Sequence, residues 1–345
     1  MQEIFTNIYH EVIPYEDRHI SPRNLYIVRQ HTGRSLMIDT SFRLERDWEI
    51  ICSMLEELGI AFADLDIFIT HNHPDHTGLI PEFLEKGSRV FMNPAEIKGR
   101  ADIMHSYLCN KETRLVNLRR MGITEDGTPE VFQAFMQYTD QAFEERTESV
   151  DFDFLPIEPG DVLECAGYSF EVVLLAGHTV GQCGLFDKNH KLLFCGDQIM
   201  SDIVPIVTTQ QKDLKLLRTY IDSLDMMIQR FSDYHVLPAH YDLNIDLRKE
   251  VNRVVIGYMD KSSIMLDVLK QNGEWMTTRD VGVRTYGRSQ GPPGYERFVS
   301  CTHIWAKTFT CLEFMYAEGF VDRTEYEGII YWKANPERIY HDRKN

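Results

Sequence analysis

The stretch THNHPDHTG, residues 70–78, places three histidines and an aspartate within six positions: His71, His73, Asp75 and His76. Imidazole and carboxylate together suit divalent ions such as zinc, manganese and iron. His71 and His73 stand two apart at the end of DLDIFI, an apolar run that reads as a buried strand, so both side chains can leave one side of an extended backbone. Asp75 and His76 follow where a loop enters a helix. A lone HxH pair is a weak signal. HxHxDH after a buried strand is a strong one, because such a cluster is costly to bury without a cation.

Three further ligand-type residues fall at predicted strand ends downstream. His178 lies in VVLLAGHTVGQ, Asp197 in KLLFCGDQ and His240 in YHVLPAH. Each alone is more simply a turn residue. With the HxHxDH cluster they make seven potential ligands at strand-to-loop junctions, which chance explains poorly.

The elements that must position these residues can be read from hydrophobic periodicity. LYIVR and SLMID predict a hairpin around His31-Thr32-Gly33, and ERDWEIICSMLEEL (45–58) predicts a helix ending at Gly59. A strand over LDIFIT, a helix near LIPEFLEK and a strand over RVFM follow. Residues 98–149 are polar, rich in Met, Phe and Tyr, and helical in character, and are expected to form an insertion beside the site. His105, Tyr107 and Tyr138 in that insertion are candidate substrate contacts, although ordinary surface or core roles suit them as well. Strand patterning returns with DVLECAG, YSFEVVLLAG, QCGLFD and KLLFCGD. After Asp246 a long helix is predicted to about Lys270, then two shorter helices separated by SQGPPG, the later stopping at Gly319. FVDRTEYEGIIYWK then reads as strand, turn, strand. The expected division is a domain over 1–249 and a winged-helix-like module over 250–345.

The 345 residues carry a net charge of −17, and all of the excess lies in the first 249, with 23 basic and 40 acidic residues. An acidic half of this kind does not draw polyanions at long range, and no basic stripe marks the rest. Nucleic acid is therefore not an expected partner. The N-terminus lacks the apolar core of a secretory signal, and no segment approaches a membrane span. Seven scattered cysteines without a CxxC pair point to reduced thiols and a cytoplasmic location.

With THNHPDHTG, AGHTVGQ, FCGDQ and LPAH in this order, and Asp39 in LMIDTS, residues 4–245 resemble the metallo-β-lactamase-fold hydrolases. The resemblance implies an α+β fold, a four-layer αββα sandwich with a dinuclear metal centre at one edge. It implies one metal held by His71, His73 and His178, and a second by Asp75, His76 and His240, with Asp197 bridging. Asp39 would stand behind the ligands and orient a ligand loop. Gly177, Gly181 and Gly196 would allow close backbone approach at the ligand turns. His73 departs from the glutamate of the flavodiiron branch, and Asp197 from the cysteine of many true β-lactamases of this fold. The C-terminal portion resembles, by pattern more than by motif, the winged-helix appendage of hydrolases related to the mammalian β-lactamase-like protein 2.

The resulting expectation is a hydrolase with two divalent ions, zinc first and manganese or iron as alternatives. It would use a metal-bridging hydroxide on a small ester, thioester or lactone, with Asp75 orienting that hydroxide and accepting its proton. A phosphodiesterase or ribonuclease is the alternative. A non-heme iron oxygenase or a non-catalytic metal-binding regulator stands further off. The predicted recognition helix, THIWAKTFTCLEFMYAEG, holds one lysine and two glutamates, so the C-terminal module is expected to serve packing or homodimerisation rather than phosphate binding.

Overall fold

A computed structural model describes residues 1–14, 22–100, 111–133, 136, 152–201, 203–207, 215–287 and 295–337. The chain divides into two compact units, one of residues 1–100, 148–205 and 222–252, the other of residues 101–147, 206–221 and 253–345.

The first unit is built on two mixed sheets. Seven strands, β1 (Gln2–Phe5), β2 (Ile8–Ile13), β3 (Arg23–Val28), β4 (Ser35–Ile38), β5 (Leu65–Ile69), β6 (Arg89–Met92) and β7 (Leu155–Pro156), lie side by side in chain order. Pairing is antiparallel as far as β4 and parallel from there on. The second sheet has the order β12-β11-β10-β9-β8, from β8 (Val162–Cys165), β9 (Tyr168–Leu174), β10 (Cys183–Asp187), β11 (Leu192–Gly196) and β12 (His235–Pro238). Its last pair, β11 with β12, is parallel.

Central strands such as β3 and β4 are buried on both faces, which is why they read as continuous apolar runs rather than alternating ones. Tyr26, Phe68, Phe170 and Phe194 fill the space between the sheets, with the Phe194 ring 5.1 Å from Tyr26 and 5.7 Å from Phe170. Helix α1 (Glu45–Leu58) covers the outer face of the first sheet. Its buried Ile51, Met54, Leu55 and Leu58 recur at helical spacing and pack with Ile27, Met37 and Ile67. Gly59 ends it as the spacing predicts, in the left-handed region at φ 66°, donating to the Glu56 carbonyl. Phe231 lies 5.2 Å from Phe186 of β10 on the far side of the second sheet.

Short helices follow the strands that lead to the site: α2 (Pro74–Thr77), α3 (Ile80–Glu85) and α4 (Ala95–Arg100). Further along come α5 (Lys111–Arg120), α6 (Leu216–Phe231) and α7 (Leu247–Asn272). Helices α6 and α7 each contribute residues to both units.

The second unit holds β13 (Met276–Thr277), α8 (Thr278–Tyr286), α9 (Tyr295–Ala317), β14 (Val321–Tyr326) and β15 (Ile329–Ala334). The predicted terminal hairpin is present, and β13 pairs with β15 to make a three-stranded sheet. Trp332 is buried beneath it, stacked edge-on against Phe309 and donating to the Thr278 hydroxyl at 2.9 Å. Among the described residues no helix is long and apolar enough to cross a membrane.

Candidate metal centre

Every candidate ligand sits just beyond a strand terminus, and both sheets of the first unit contribute. His71 leaves β5 one residue after the buried Thr70. His73 caps α2, and Pro74 at the first position of that single turn places Asp75 and His76 on it. His178 follows β9 in the turn opened by Gly177, Asp197 follows β11, and His240 follows β12. Gly196 lies at φ 54°, and a Cβ there would stand 2.9 Å from the Thr70 hydroxyl, so only glycine lets β11 close against the exit of β5.

The side chains converge in two groups. In the first, His71, His73, His178 and Asp197 bring one ligand atom each to within 4.8 Å of the others. His73 Nδ1 lies 2.9 Å from His71 Nε2 and 3.0 Å from His178 Nε2. Ligand bonds of about 2.0–2.1 Å to a tetrahedral ion would set such nitrogens roughly 3.3 Å apart, within a few tenths of what is seen. In the second group, Asp75 Oδ2 lies 3.6 Å from His76 Nε2 and 3.3 Å from His240 Nε2. Asp197 faces both groups. Its Oδ2 lies 3.6 Å from His178 Nε2 and 4.0 Å from His71 Nε2, while its Oδ1 lies 3.5 Å from His76 Nε2 and 3.4 Å from His240 Nε2.

Two atoms here are buried without a hydrogen-bond partner, His76 Nε2 and Asp197 Oδ1. Orphaned polar atoms in a dry interior are costly, and a cation between them removes the cost. The donor set therefore fits two divalent ions.

A layer of buried polar groups holds the ligands from behind. Asp39, at φ 61° after β4, is fully engaged. Its Oδ1 accepts the Thr70 N–H at 2.7 Å, and its Oδ2 accepts the Thr70 hydroxyl at 2.9 Å and His76 Nδ1 at 2.8 Å. Because Nδ1 of His76 is committed to Asp39, the lone pair at Nε2 is left for the second group. The Thr70 hydroxyl also lies 3.0 Å from His71 Nδ1, and His240 Nδ1 donates to the Pro22 carbonyl at 3.0 Å.

Strand β3 grips the loop that carries His240. The Asn24 side chain donates to the carbonyls of Pro238 and Tyr241 at 3.0 and 2.9 Å, and Tyr26 Oη donates to Pro238 at 2.7 Å. Beside them, the fully buried Arg23 guanidinium donates to the Asp75 carbonyl.

Burial and the neighbouring imidazoles keep His71 well below its ordinary value and push His73 down to about 3, so both rings are neutral near pH 7, each with one nitrogen lone pair free. For Asp75 and Asp197, burial acts upward but the facing histidines outweigh it, and both carboxyls lie below the usual range. His240 is the converse: burial acts downward, and the two aspartates outweigh it and raise it.

All seven ligand candidates predicted from sequence are thus brought together, with Asp39 directly behind them. His105, Tyr107 and Tyr138 lie outside the described residues. Arg23 and Glu96, a buried carboxylate on α4 beside the ligand loops, carry no motif, and Thr70, the first residue of THNHPDHTG, has no role assigned to it by the spacing. Their only sequence signal is a polar residue at the end of an apolar strand or on the first turn of a short helix.

Residues 20–240 match the family model described as the metallo-beta-lactamase superfamily. Among solved structures, a metallo-beta-lactamase family protein from Thermus thermophilus is similar at 21% identity, covering 96% of this chain and 100% of its own, with a TM-score of 0.72. A beta-lactamase domain protein from Burkholderia ambifaria is similar at 17% identity, covering 97% of this chain and 94% of its own, with a TM-score of 0.77. At these identities the likeness speaks to the fold. No curated protein matches the chain significantly. With a family match over most of its length and the two facing groups of ligand-type side chains, the chain belongs to the metallo-β-lactamase superfamily, as a metal-dependent hydrolase.

Proposed function

We propose that the protein hydrolyses a small ester, thioester or lactone at a dinuclear centre, with zinc as the first candidate metal. The single observation that carries the dinuclear assignment is the division of Asp197, one carboxylate oxygen towards each group. His71, His73 and His178 would hold one ion, Asp75, His76 and His240 the other, and Asp197 would join them. When bound, such a pair of ions lowers the pKa of bound water towards about 7 and polarises the oxygen that gains charge. Asp75 would orient an attacking water and take its proton. Asp39 fixes the tautomer of His76, and Thr70 borders the ring of His71.

Charge supports an uncharged or small substrate over a nucleic acid. The first 249 residues carry 40 acidic against 23 basic side chains, and phosphate tracking needs cations. We read helices α8 and α9 with the small sheet as a winged-helix-like module used for packing or homodimerisation. In α9, Glu313 is already paired with Arg323 at 2.7 Å, which further lowers the positive charge on offer. The five free cysteines among the described residues support a reducing, cytoplasmic setting.

The test is metal-loaded protein on a panel of aryl esters, acyl thioesters, lactones, aryl phosphodiesters and single-stranded RNA. Turnover of an acyl substrate is expected, with Asp75→Asn losing at least about a hundredfold, the scale of a positioned acid–base group. Activity on RNA or phosphodiesters with none on any acyl substrate would replace the acyl assignment.

A further inference from the structure

Glu96 is 3% exposed and stands on the first turn of α4, with no Lys or Arg paired to it among the described residues. A bare buried carboxylate is expensive, and this one is compensated by hydrogen bonds. Its Oε2 accepts the N–H of Asn72, the residue between His71 and His73, at 2.8 Å. Its Oε1 accepts the Gly181 N–H at 2.7 Å and the hydroxyl of Thr179, the residue after His178, also at 2.7 Å. One carboxylate thus ties the loop of His71 and His73 to the loop of His178, far apart in the chain though they are.

The surroundings are built for this contact. Asn93 donates to the Gly181 carbonyl at 2.9 Å, so Gly181 is held at both its N–H and its C=O. A Cβ on Gly181 would lie 2.8 Å from the Glu96 backbone nitrogen and 2.9 Å from Oε1, so only glycine admits the approach. Asp39 serves His76 and Thr70, whereas Glu96 serves the loops on either side of the three-histidine group, so the two carboxylates do separate work.

We propose that Glu96 is the positioning residue of the three-histidine group, setting the spacing of His71, His73 and His178 for one ion while leaving the Asp75–His76–His240 group untouched. The inference rests on the metal assignment above. Glutamine at this position keeps the volume and an acceptor for Thr179 and Gly181, but turns an amide N–H₂ towards the Asn72 N–H. Glu96→Gln therefore severs the tether on one side only. Thr179→Val removes one donor and leaves the carboxylate in place.

The experiment is competitive chelator titration of zinc on wild-type protein and Glu96→Gln, repeated in a His240→Ala background that isolates the three-histidine group, together with unfolding of the metal-free proteins. The expected result is a loss of about tenfold to a hundredfold in affinity at the three-histidine group, with the other equivalent unchanged, the size typical of residues that orient ligands from behind. Thr179→Val should lose several-fold at the same group, and it carries the test if Glu96→Gln does not fold. If both equivalents weaken together in step with a fall in metal-free stability, Glu96 is a fold element and the inference fails. It also fails if Glu96→Gln binds both ions as tightly as wild type. Wild-type protein that takes up no ion overturns the metal assignment itself and with it this inference.

Discussion

Replacing Asp39 by asparagine isolates the charge and acceptor pattern behind the ligands. The backbone should tolerate the change, because asparagine is among the residues that accept the left-handed conformation seen at φ 61°. Volume is also kept. What changes is that three donors, the Thr70 N–H, the Thr70 hydroxyl and His76 Nδ1, now meet one acceptor oxygen and one amide N–H₂. If the oxygen faces His76, the amide donors oppose the buried Thr70 N–H, leaving an unsatisfied donor worth about 1–3 kcal/mol. If the oxygen faces Thr70 N–H instead, His76 must carry its proton on Nε2, the nitrogen that points into the second group. The second route takes the lone pair from that group, whereas the first strains the exit of β5 beside His71. At about 1.4 kcal/mol per factor of ten, 1–3 kcal/mol is roughly a fivefold to 150-fold loss of affinity. Competitive chelation of the Asp39→Asn protein, resolved into its two equivalents, measures this directly. Affinity within threefold of wild type at both equivalents would refute the claim that Asp39 fixes the His76 tautomer.

Gly181→Ala should push the His178 loop away from Glu96, because the new Cβ meets backbone rather than a flexible side-chain end; overpacking of this kind costs about 1–3 kcal/mol, read as a lower denaturant midpoint and lower metal content. Metal-free protein should lose stability as pH falls from the ordinary histidine value of about 6.5 towards 3. His73 and His71 stay neutral in the fold but take up a proton in the unfolded chain, each contributing up to about 1.4 kcal/mol per pH unit, while the raised His240 acts in the opposite sense only above about 6.5. Denaturant titrations in chelator between about pH 4 and 8 check the slope, and a flat profile counts against it. Burial pushes the thiols of Cys165, Cys183 and Cys195 up to about 12 and that of Cys311 to about 11. Of the five free cysteines described, the half-buried Cys52 should therefore react first with a thiol reagent, and simultaneous labelling of all five in native protein would contradict this.

What the sequence shows of this protein follows from how local each signal is. Helix α1 is legible because its apolar spacing, and the glycine that ends it, need nothing beyond one short run of consecutive residues. The ligand set is legible because metal chemistry demands rare side chains at strand ends. Glu96 and Arg23 are invisible for the opposite reason: a glutamate on a helix and an arginine after a proline are ordinary until the fold buries them. Strand β13, two residues long, is too short to show a period, so the small sheet reads as a hairpin alone. The grouping of residues 101–147 with the C-terminal part of the chain is a fact of long-range contact that no periodicity encodes.

The grip of β3 on the loop around His240 also constrains when the protein can be finished. Asn24 and Tyr26 precede by more than two hundred residues the carbonyls at positions 238 and 241 to which their side chains donate. Until that segment has been made, the Asn24 amide and the Tyr26 hydroxyl lack these carbonyl acceptors, and the second ligand group lacks His240. The second ligand group is therefore complete only once residue 240 has been made, later than the three-histidine group, whose members all lie by position 197.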